Sequence, residues 1–282
     1  MSLSRERAAA LGQDTQHILA DGGYTTERGM VVDLGPLIAC ARAGTRSYPP
    51  EAALPAQLPG LRPTTFEVTN ETTLAAARRL VVAGAHVAAL NFASARYPGG
   101  GWLSGARAQE ESLARASALV PCIAADPMYA RHARMRDALY TSSAIYSPDV
   151  PVFRDDDGRL LEAPYSIAFI TAPAVNAGVV LERDRSRRDA ITAAMRERVA
   201  RVLAIAAIHG HDGLVLGAWG CGVFKNDPAE IAAMFDAALR GPFAGAFETV
   251  VFAVLDTSPE HRFIGPFERM FDGRPPRQHK GT

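Results

Sequence analysis

Net charge, cysteine and long apolar runs are all scarce in this 282-residue sequence. Thirty basic and thirty acidic residues cancel, so no global field draws the chain onto bulk nucleic acid or an anionic membrane. A phosphate-bearing ligand must then be gripped locally. The three cysteines, Cys40, Cys122 and Cys221, lie far apart with no CxxC or Cys/His ligand spacing. This excludes a disulfide framework or zinc finger and fits a reducing cytoplasm. No stretch reaches the ~18 apolar residues of a membrane span, and the N-terminus carries charges where a signal peptide would have its apolar core. Neither export nor insertion is expected. Repeats and low-complexity tracts are missing too. What remains, 48% hydrophobic and 21% charged residues, is the composition of a folded soluble protein. The length allows one α/β domain with an extension.

Residues 4–21 read as an amphipathic helix with Ser4 as N-cap and Leu11, Ile18 and Leu19 as a sparse apolar stripe. Residues 47–64 hold five of the nineteen prolines, which predicts an extended connector over a surface. From there strands and helices alternate: strand at 64–70, helix at 71–84, strand at 86–92, a glycine loop, then helix at 109–120. That is the order of an α/β fold. A helical stretch near 126–139 leads into a less regular region in which the Asp155, Asp156, Asp157, Gly158 run predicts a solvated turn between two edge strands. A buried strand then ends at Pro173. A long helix at about 184–208, a strand at 213–220, a second glycine loop, a helix at 227–239 and a strand at 249–256 complete the chain. The unalternating apolar run 250–255 predicts a central strand covered on both faces.

Each glycine loop follows a strand and precedes a helix, where α/β sheets bind ligands. The first, at 97–105, contains Gly99, Gly100 and Gly101, which allow close backbone approach and present N–H groups to sugar or anionic oxygens. The second contains Gly220, Cys221, Gly222, Val223 and Phe224 ahead of a helix opening at Asp227 and Pro228, an arrangement suited to a diphosphate through main-chain donors and the helix dipole. Neither is a Walker A or GxGxxG sequence, which disfavours a nucleotide-dependent transferase or dehydrogenase. Just past the first loop stand Gln109, Glu110 and Glu111. Acidic residues in a first helical turn answer the macrodipole on their own, but a carboxyl shielded beside a sugar can also protonate a leaving oxygen.

The glycine triplet, seven intervening residues from Trp102 to Ala108, and then Gln-Glu-Glu resemble the signature of poly(ADP-ribose) glycohydrolases, in their microbial, bacterial-type branch. The stretches VTNETTLAAA, LNFASARYPGGGW, ITAPAVN and GAWGCGVFKNDP extend the resemblance over nearly the whole chain. It implies a three-layer α/β/α macrodomain with a mixed, mostly parallel sheet at 63–282, and a helical and extended N-terminal extension at 1–62 packed on that core. It implies hydrolysis of ribose–ribose O-glycosidic bonds with Glu111 as catalytic acid and then base, Glu110 and Gln109 orienting the ribose and loop, and Asn91 hydrogen-bonding the distal ribose. The glycine triplet and the loop of Gly220, Cys221, Gly222, Val223 and Phe224 would hold the diphosphate, with Phe224 against the terminal ribose. The partner implied is ADP-ribose polymer on modified proteins. No cofactor, metal, nucleic acid or membrane is expected, and the chain is expected to act as a monomer.

Glycoside hydrolysis usually employs two opposed carboxylates, but neighbours on a helix point ~100° apart, so one carboxyl serving twice is the expectation here. The seven histidines, His17, His86, His132, His209, His211, His261 and His279, lack metal-binding spacing and read as structural, with His209 and His211 favoured as cations at a helix end. Cys221 reads as a loop residue without a partner base. Trp102 fits core or ligand equally, and Asp256 fits an adenine contact or a turn cap. Two other functions stay open: a module that binds ADP-ribose without cleaving polymer, and an enzyme removing single ADP-ribose units.

Overall fold

A computed structural model describes residues 3–271. Helix α1 (Arg5–Asp21) begins where the Ser4 side chain accepts the Arg7 N–H and ends on left-handed Gly22, an N-cap and a glycine stop. Next come a small hairpin of β1 (Gly23–Thr25) and β2 (Val31–Asp33), helix α2 (Gly35–Gly44) and strand β3 (Arg46–Tyr48). The main alternation runs β4 (Thr65–Thr69), α3 (Thr73–Val82), β5 (Val87–Phe92), α4 (Gln109–Ala116), α5 (Leu119–Ile123) and α6 (Pro127–Arg134). The hairpin β6 (Ala144–Arg154) and β7 (Leu160–Ala172) follows, then α7 (Ala177–Arg183), α8 (Arg188–Ile208), β8 (Gly213–Leu216), α9 (Pro228–Leu239), β9 (Thr249–Ala253) and α10 (Gly265–Phe271). No helix among the described residues is long and apolar enough to cross a membrane.

Seven strands form one sheet in the order β3-β6-β7-β5-β8-β9-β4. Its β7-β5-β8-β9-β4 portion is parallel, while β6 runs antiparallel to both neighbours. Alternate residues of the inner strands feed two hydrophobic cores. Ala88 and Leu90 of β5 and Val250 and Phe252 of β9 join α8, α9 and α10 on one face, and Val87, Ala89, Val251 and Ala253 join α3, α4 and α5 on the other. This is the three-layer α/β/α sandwich with a mixed, mostly parallel sheet that the family resemblance implies; the alternation of elements alone gave the α/β order.

Several local expectations change. β6 and β7 are interior in the strand order, because β3 pairs outside the start of β6 and β5 outside the end of β7. Beside the aspartate run, residues 150–154 and 160–167 pair with each other and otherwise make one bridge, Ser117 to Val152. The buried strand ending before Pro173 is the second half of β7. The helix expected at 109–120 is two helices: at Ser117 the backbone becomes extended and bridges Val152 of β6. The helix expected at 184–208 starts only at Arg188, after a 3-10 turn (Arg185–Arg187) capped by Asp184. The proline-rich connector contributes Ser47 and Tyr48 to β3. Beyond them it is pinned down by Arg201, whose guanidinium donates to the carbonyls of Tyr48, Pro49, Pro50 and Ala52.

Candidate active site

The loop that leaves β5 turns back on itself so tightly that its glycines touch the side chains of the next helix. Gly99 and Gly100 have φ of 75° and 59°, the left-handed region that glycine enters without strain. A Cβ on Gly100 would lie 2.3 Å from Glu111 Oε1 and 3.2 Å from Glu110 Oε2. The two carboxyls, on adjacent residues at the start of α4, thus border the same turn. Gly101 N–H donates to Glu111 Oε1 at 2.9 Å. Gly99 N–H donates to Glu110 Oε1 at 3.2 Å and Ser94 N–H to Glu110 Oε2 at 2.6 Å. Gly100 N–H closes the turn on the Tyr97 carbonyl. The triplet's N–H groups therefore face the carboxylates and the turn, where the sequence had them facing ligand oxygens.

Glu110, Glu111 and Asn91 are buried, with 3%, 9% and 0% of their surface exposed. Burial pushes the Glu110 carboxyl up to about 8; the Glu111 charge adds to the rise, and the N–H donors of Ser94, Asn91 and Gly99 oppose it. The raised group is thus Glu110, and at neutral pH it holds a proton in competition with its donors, beside Glu111. A carboxyl whose folded pKa lies above its unfolded value stabilises the fold below the ordinary carboxylate range and loses that contribution as pH rises toward about 8. We expect the side-chain 13C signal of Glu110 to titrate near 8; a midpoint at the ordinary value of about 4.3 would refute the assignment.

Two acceptors at this point have no hydrogen-bond partner: Asn91 Oδ1 and Glu111 Oε2. Asn91 Nδ2 is engaged by Glu110 Oε1 at 3.4 Å and by Thr171 Oγ1 at 3.2 Å, which fixes the amide and leaves its oxygen open. Buried acceptors without donors are costly in a native structure, and here they match the hydroxyls of a sugar or a water. Gln109 differs. Its Oε1 accepts the Phe92 N–H at 2.9 Å, and its Nε2 donates to Leu90 O at 2.7 Å and Thr73 Oγ1 at 3.1 Å. The amide stitches α4 to the end of β5.

The second loop presents the opposite polarity. The N–H groups of Gly222, Val223 and Phe224 make no hydrogen bond within the described residues, and a Cβ on Gly222 would meet open space. Three adjacent free donors form an anion cradle. Asn226 shapes it by donating to the carbonyls of Val175 at 2.8 Å and Gly220 at 3.1 Å. Gly220, at φ 73°, packs so closely on Asn226 and Ala174 that a Cβ would lie 2.5 Å and 2.6 Å from them. The helix that follows adds less than expected, because the Asp227 side chain already caps it by accepting from Ala229 and Glu230 N–H. Asn226 was not singled out from sequence; its place directly before the Asp-Pro helix start was the available signal.

At the carboxyl ends of β5, β8, β9 and β4 lies a mostly apolar cavity of ≈ 300 Å³ whose walls include Phe92, Gln109, Gly222, Leu255 and Phe263. Leu255, on its wall, is exposed, as is Val223 of the second loop. Phe224 turns into the main hydrophobic core, half-buried. Asp256 is a turn cap. Burial alone would raise it, but hydrogen bonds from Ser258, Phe263 and Ile264 hold it down to about 2, and they fold the segment bearing Phe263 against the cavity.

Other residues singled out from sequence take structural places. Trp102 is buried, its ring so near Gly99 that a Cβ there would lie 3.0 Å from Cδ1. Cys221 is buried with its thiol donating to the Trp219 carbonyl, and burial pushes that thiol far up, which leaves no nucleophile. His209 and His211 are not helix-end cations. Burial lowers both, His211 to about 4, and each ring is bonded to a tyrosine, Tyr48 or Tyr146. Burial likewise holds His132 down to about 4, bonded to Thr141 and the Ala95 carbonyl. Among the described residues no group of three or more His, Cys, Asp or Glu could hold a metal ion; His279 lies outside them.

The family model described as "Microbial-type PARG, catalytic domain" matches residues 12–155. A solved structure of poly(ADP-ribose) glycohydrolase from Thermomonospora curvata is 53% identical with a TM-score of 0.88, and the match covers 94% of this chain and 99% of that one. A structure of the glycohydrolase from the same organism bound to the inhibitor ADP-HPD gives 53% identity and a TM-score of 0.86 over 93% and 98% of the two chains. The poly(ADP-ribose) glycohydrolase of Deinococcus radiodurans in complex with ADP-ribose is 49% identical, with a TM-score of 0.79 over 86% of this chain and 99% of that one. No curated protein matches the chain.

Proposed function

Since the chain belongs to the microbial-type poly(ADP-ribose) glycohydrolase family, we propose that it hydrolyses the ribose–ribose O-glycosidic bonds of poly(ADP-ribose) and releases ADP-ribose. The observation that carries this reading is the occurrence of opposite polarities after two neighbouring parallel strands, β5 and β8. By the first loop are two open acceptors, Asn91 Oδ1 and Glu111 Oε2; on the second are the open N–H groups of Gly222, Val223 and Phe224. A ligand with sugar hydroxyls at one end and a diphosphate in its middle satisfies both. The apolar cavity walled by Phe92 and Phe263 then receives the adenosine end, Asn91 takes the distal ribose, and Gly99, Gly100 and Gly101 border that ribose through bare Cα surface.

In this reaction the buried pair of carboxyls enters with one proton between them, and Glu111 delivers it to the departing 2′-oxygen of the adjoining unit as the C1″–O bond breaks. The oxocarbenium-like ribose that remains is countered by the ligand's own diphosphate. The Glu111 carboxylate then takes a proton from the attacking water, whose oxygen bonds C1″, and the acid is regenerated. Glu110, held by three N–H donors, fixes the loop against the helix that carries Glu111. Gln109 and Phe224 act through the walls of the site, and Cys221 through backbone shape alone.

Polymer incubated with the protein should yield free ADP-ribose, with little release from a mono-modified acceptor. Binding of ADP-ribose without release from polymer would make the chain a reader module, and the reverse preference would make it a mono-ADP-ribosyl hydrolase. A second expectation concerns Asp256. Replacing it with Ala strands the N–H groups of Phe263 and Ile264, at about 1–3 kcal/mol of stability, and loosens the cavity wall. Calorimetric titration should show weaker ADP-ribose binding; wild-type affinity would count against the cavity as the adenosine site. The division at residue 62, action as a monomer in the cytoplasm, and modified proteins as carriers of the polymer belong to the same proposal.

A further inference from the structure

The glycine loop and the helix that bears the carboxyls are both fastened from outside the site by the N-terminal helix. Gly12 of α1 lies against the backbone of the loop, where a Cβ would come 2.6 Å from the Trp102 carbonyl oxygen and 3.4 Å from Leu103 Cα. Arg5 Nε donates to the Ser104 carbonyl at 3.1 Å. Left-handed Gly105 approaches the Arg5 carbonyl so closely that a Cβ there would lie 2.2 Å from it. One turn further along α1, the buried Thr15 hydroxyl donates to the Arg115 carbonyl in the last turn of α4 at 2.6 Å. The helix is in turn bolted to the sheet by Asp14, which pairs at 2.6 Å with the buried guanidinium of Arg154 on β6.

α1 thus holds each side of one hydrogen bond: the loop that carries the Gly101 N–H, and the helix that carries the Glu111 carboxylate receiving it. We propose that α1 is a positioning element for the acid, setting the distance between the glycine loop and α4, and that Gly12 and Thr15 are its positioning residues. Neither touches the cleft. Gly12 lets the helix backbone rest on the loop at a separation no other residue permits, and Thr15 ties the far end of α4 to the same rigid body. The inference rests on the reading of Glu111 as the acid.

Gly12→Ala pushes the Trp102 carbonyl outward and shifts the loop on α4. A misplacement of that kind is expected to lower kcat on the order of 10²-fold, with ADP-ribose affinity kept, since the open N–H groups of the second loop lie on other elements. Thr15→Val keeps the side-chain volume and removes the donor to Arg115, so it reports even where Gly12→Ala folds badly; a smaller fall in kcat at unchanged KM is expected. Ile18→Ala serves as the comparison. It unpacks the same helix from the core formed with Tyr24 and Leu34, away from the loop, and should lower Tm while the folded protein keeps its kcat. Independently of turnover, the 13C midpoint of Glu110 should rise in Gly12→Ala as the Gly99 donor moves off. Wild-type kcat and an unmoved midpoint in both Gly12→Ala and Thr15→Val would overturn the proposal, as would a loss of kcat in Ile18→Ala equal to theirs. If Glu111→Gln stays active while Gly12→Ala does not, it is the choice of acid that fails and not the positioning.

Discussion

Glu111→Gln is expected to lose turnover of poly(ADP-ribose) by about 10²–10⁴-fold, the usual contribution of a positioned general acid and base, and to keep its affinity for ADP-ribose. The amide has the shape of the carboxyl, and its oxygen still accepts the Gly101 N–H, which occupies Glu111 Oε1 in the wild type at 2.9 Å. On the proposed mechanism, what disappears is the proton delivered to the leaving oxygen and the carboxylate that later activates water. The second oxygen, Oε2, is buried and unpartnered, so the substitution places an amide where the chemistry requires an exchangeable acid. Single-turnover assays with radiolabelled polymer, beside calorimetric ADP-ribose titration, separate the two effects. A variant that cleaves polymer at the wild-type rate removes Glu111 from the mechanism.

Gly100→Ala should be nearly as damaging by a different route. The left-handed backbone, φ 59°, costs an L-residue roughly 1–2 kcal/mol, and the new Cβ would sit 2.3 Å from Glu111 Oε1 and 3.0 Å from its Cδ. Something must move, and the carboxyl that does so loses its bond from Gly101. A fall in kcat on the order of 10²-fold is expected, with a modest fall in Tm. Because the displaced carboxyl is the proposed acid and does not line the apolar cavity, ADP-ribose binding should weaken far less than turnover. A crystal structure of the variant with Glu111 unmoved, or an unchanged kcat, would show that the turn tolerates a side chain.

The sequence exposed the parts of this site that rest on backbone geometry and local order. Ser4 as a cap, the glycines before α4, and the alternation that builds the sheet are local properties and are visible in a string of residues. The partners of those parts are distant and were hidden. Nothing near Asn226 announces that its amide reaches Val175 across fifty residues, and nothing near Gly12 announces a loop ninety residues away. The aspartate turn alone does not show that β6 and β7 lie inside the sheet order; the short β3 that covers the start of β6 comes from a segment that reads only as an extended connector. Electrostatics was the least legible. A pair of adjacent glutamates does not say which is raised, since the answer depends on burial contributed by the fold and on the donors of Ser94, Asn91 and Gly99.

The open donors of the second loop have a further consequence, one that concerns how such a site can change over time. Main-chain N–H groups at Gly222, Val223 and Phe224 are kept through any side-chain replacement other than proline, so the exposed Val223 is free to drift without loss of the three donors. The constraint falls on residues that make no contact with a ligand through their side chains. Gly220 has no room for a Cβ against Asn226 and Ala174, and Asn226 holds the curve of the loop with a single amide. Variation across such a loop should therefore be widest at its exposed tip and narrowest at its two hidden ends.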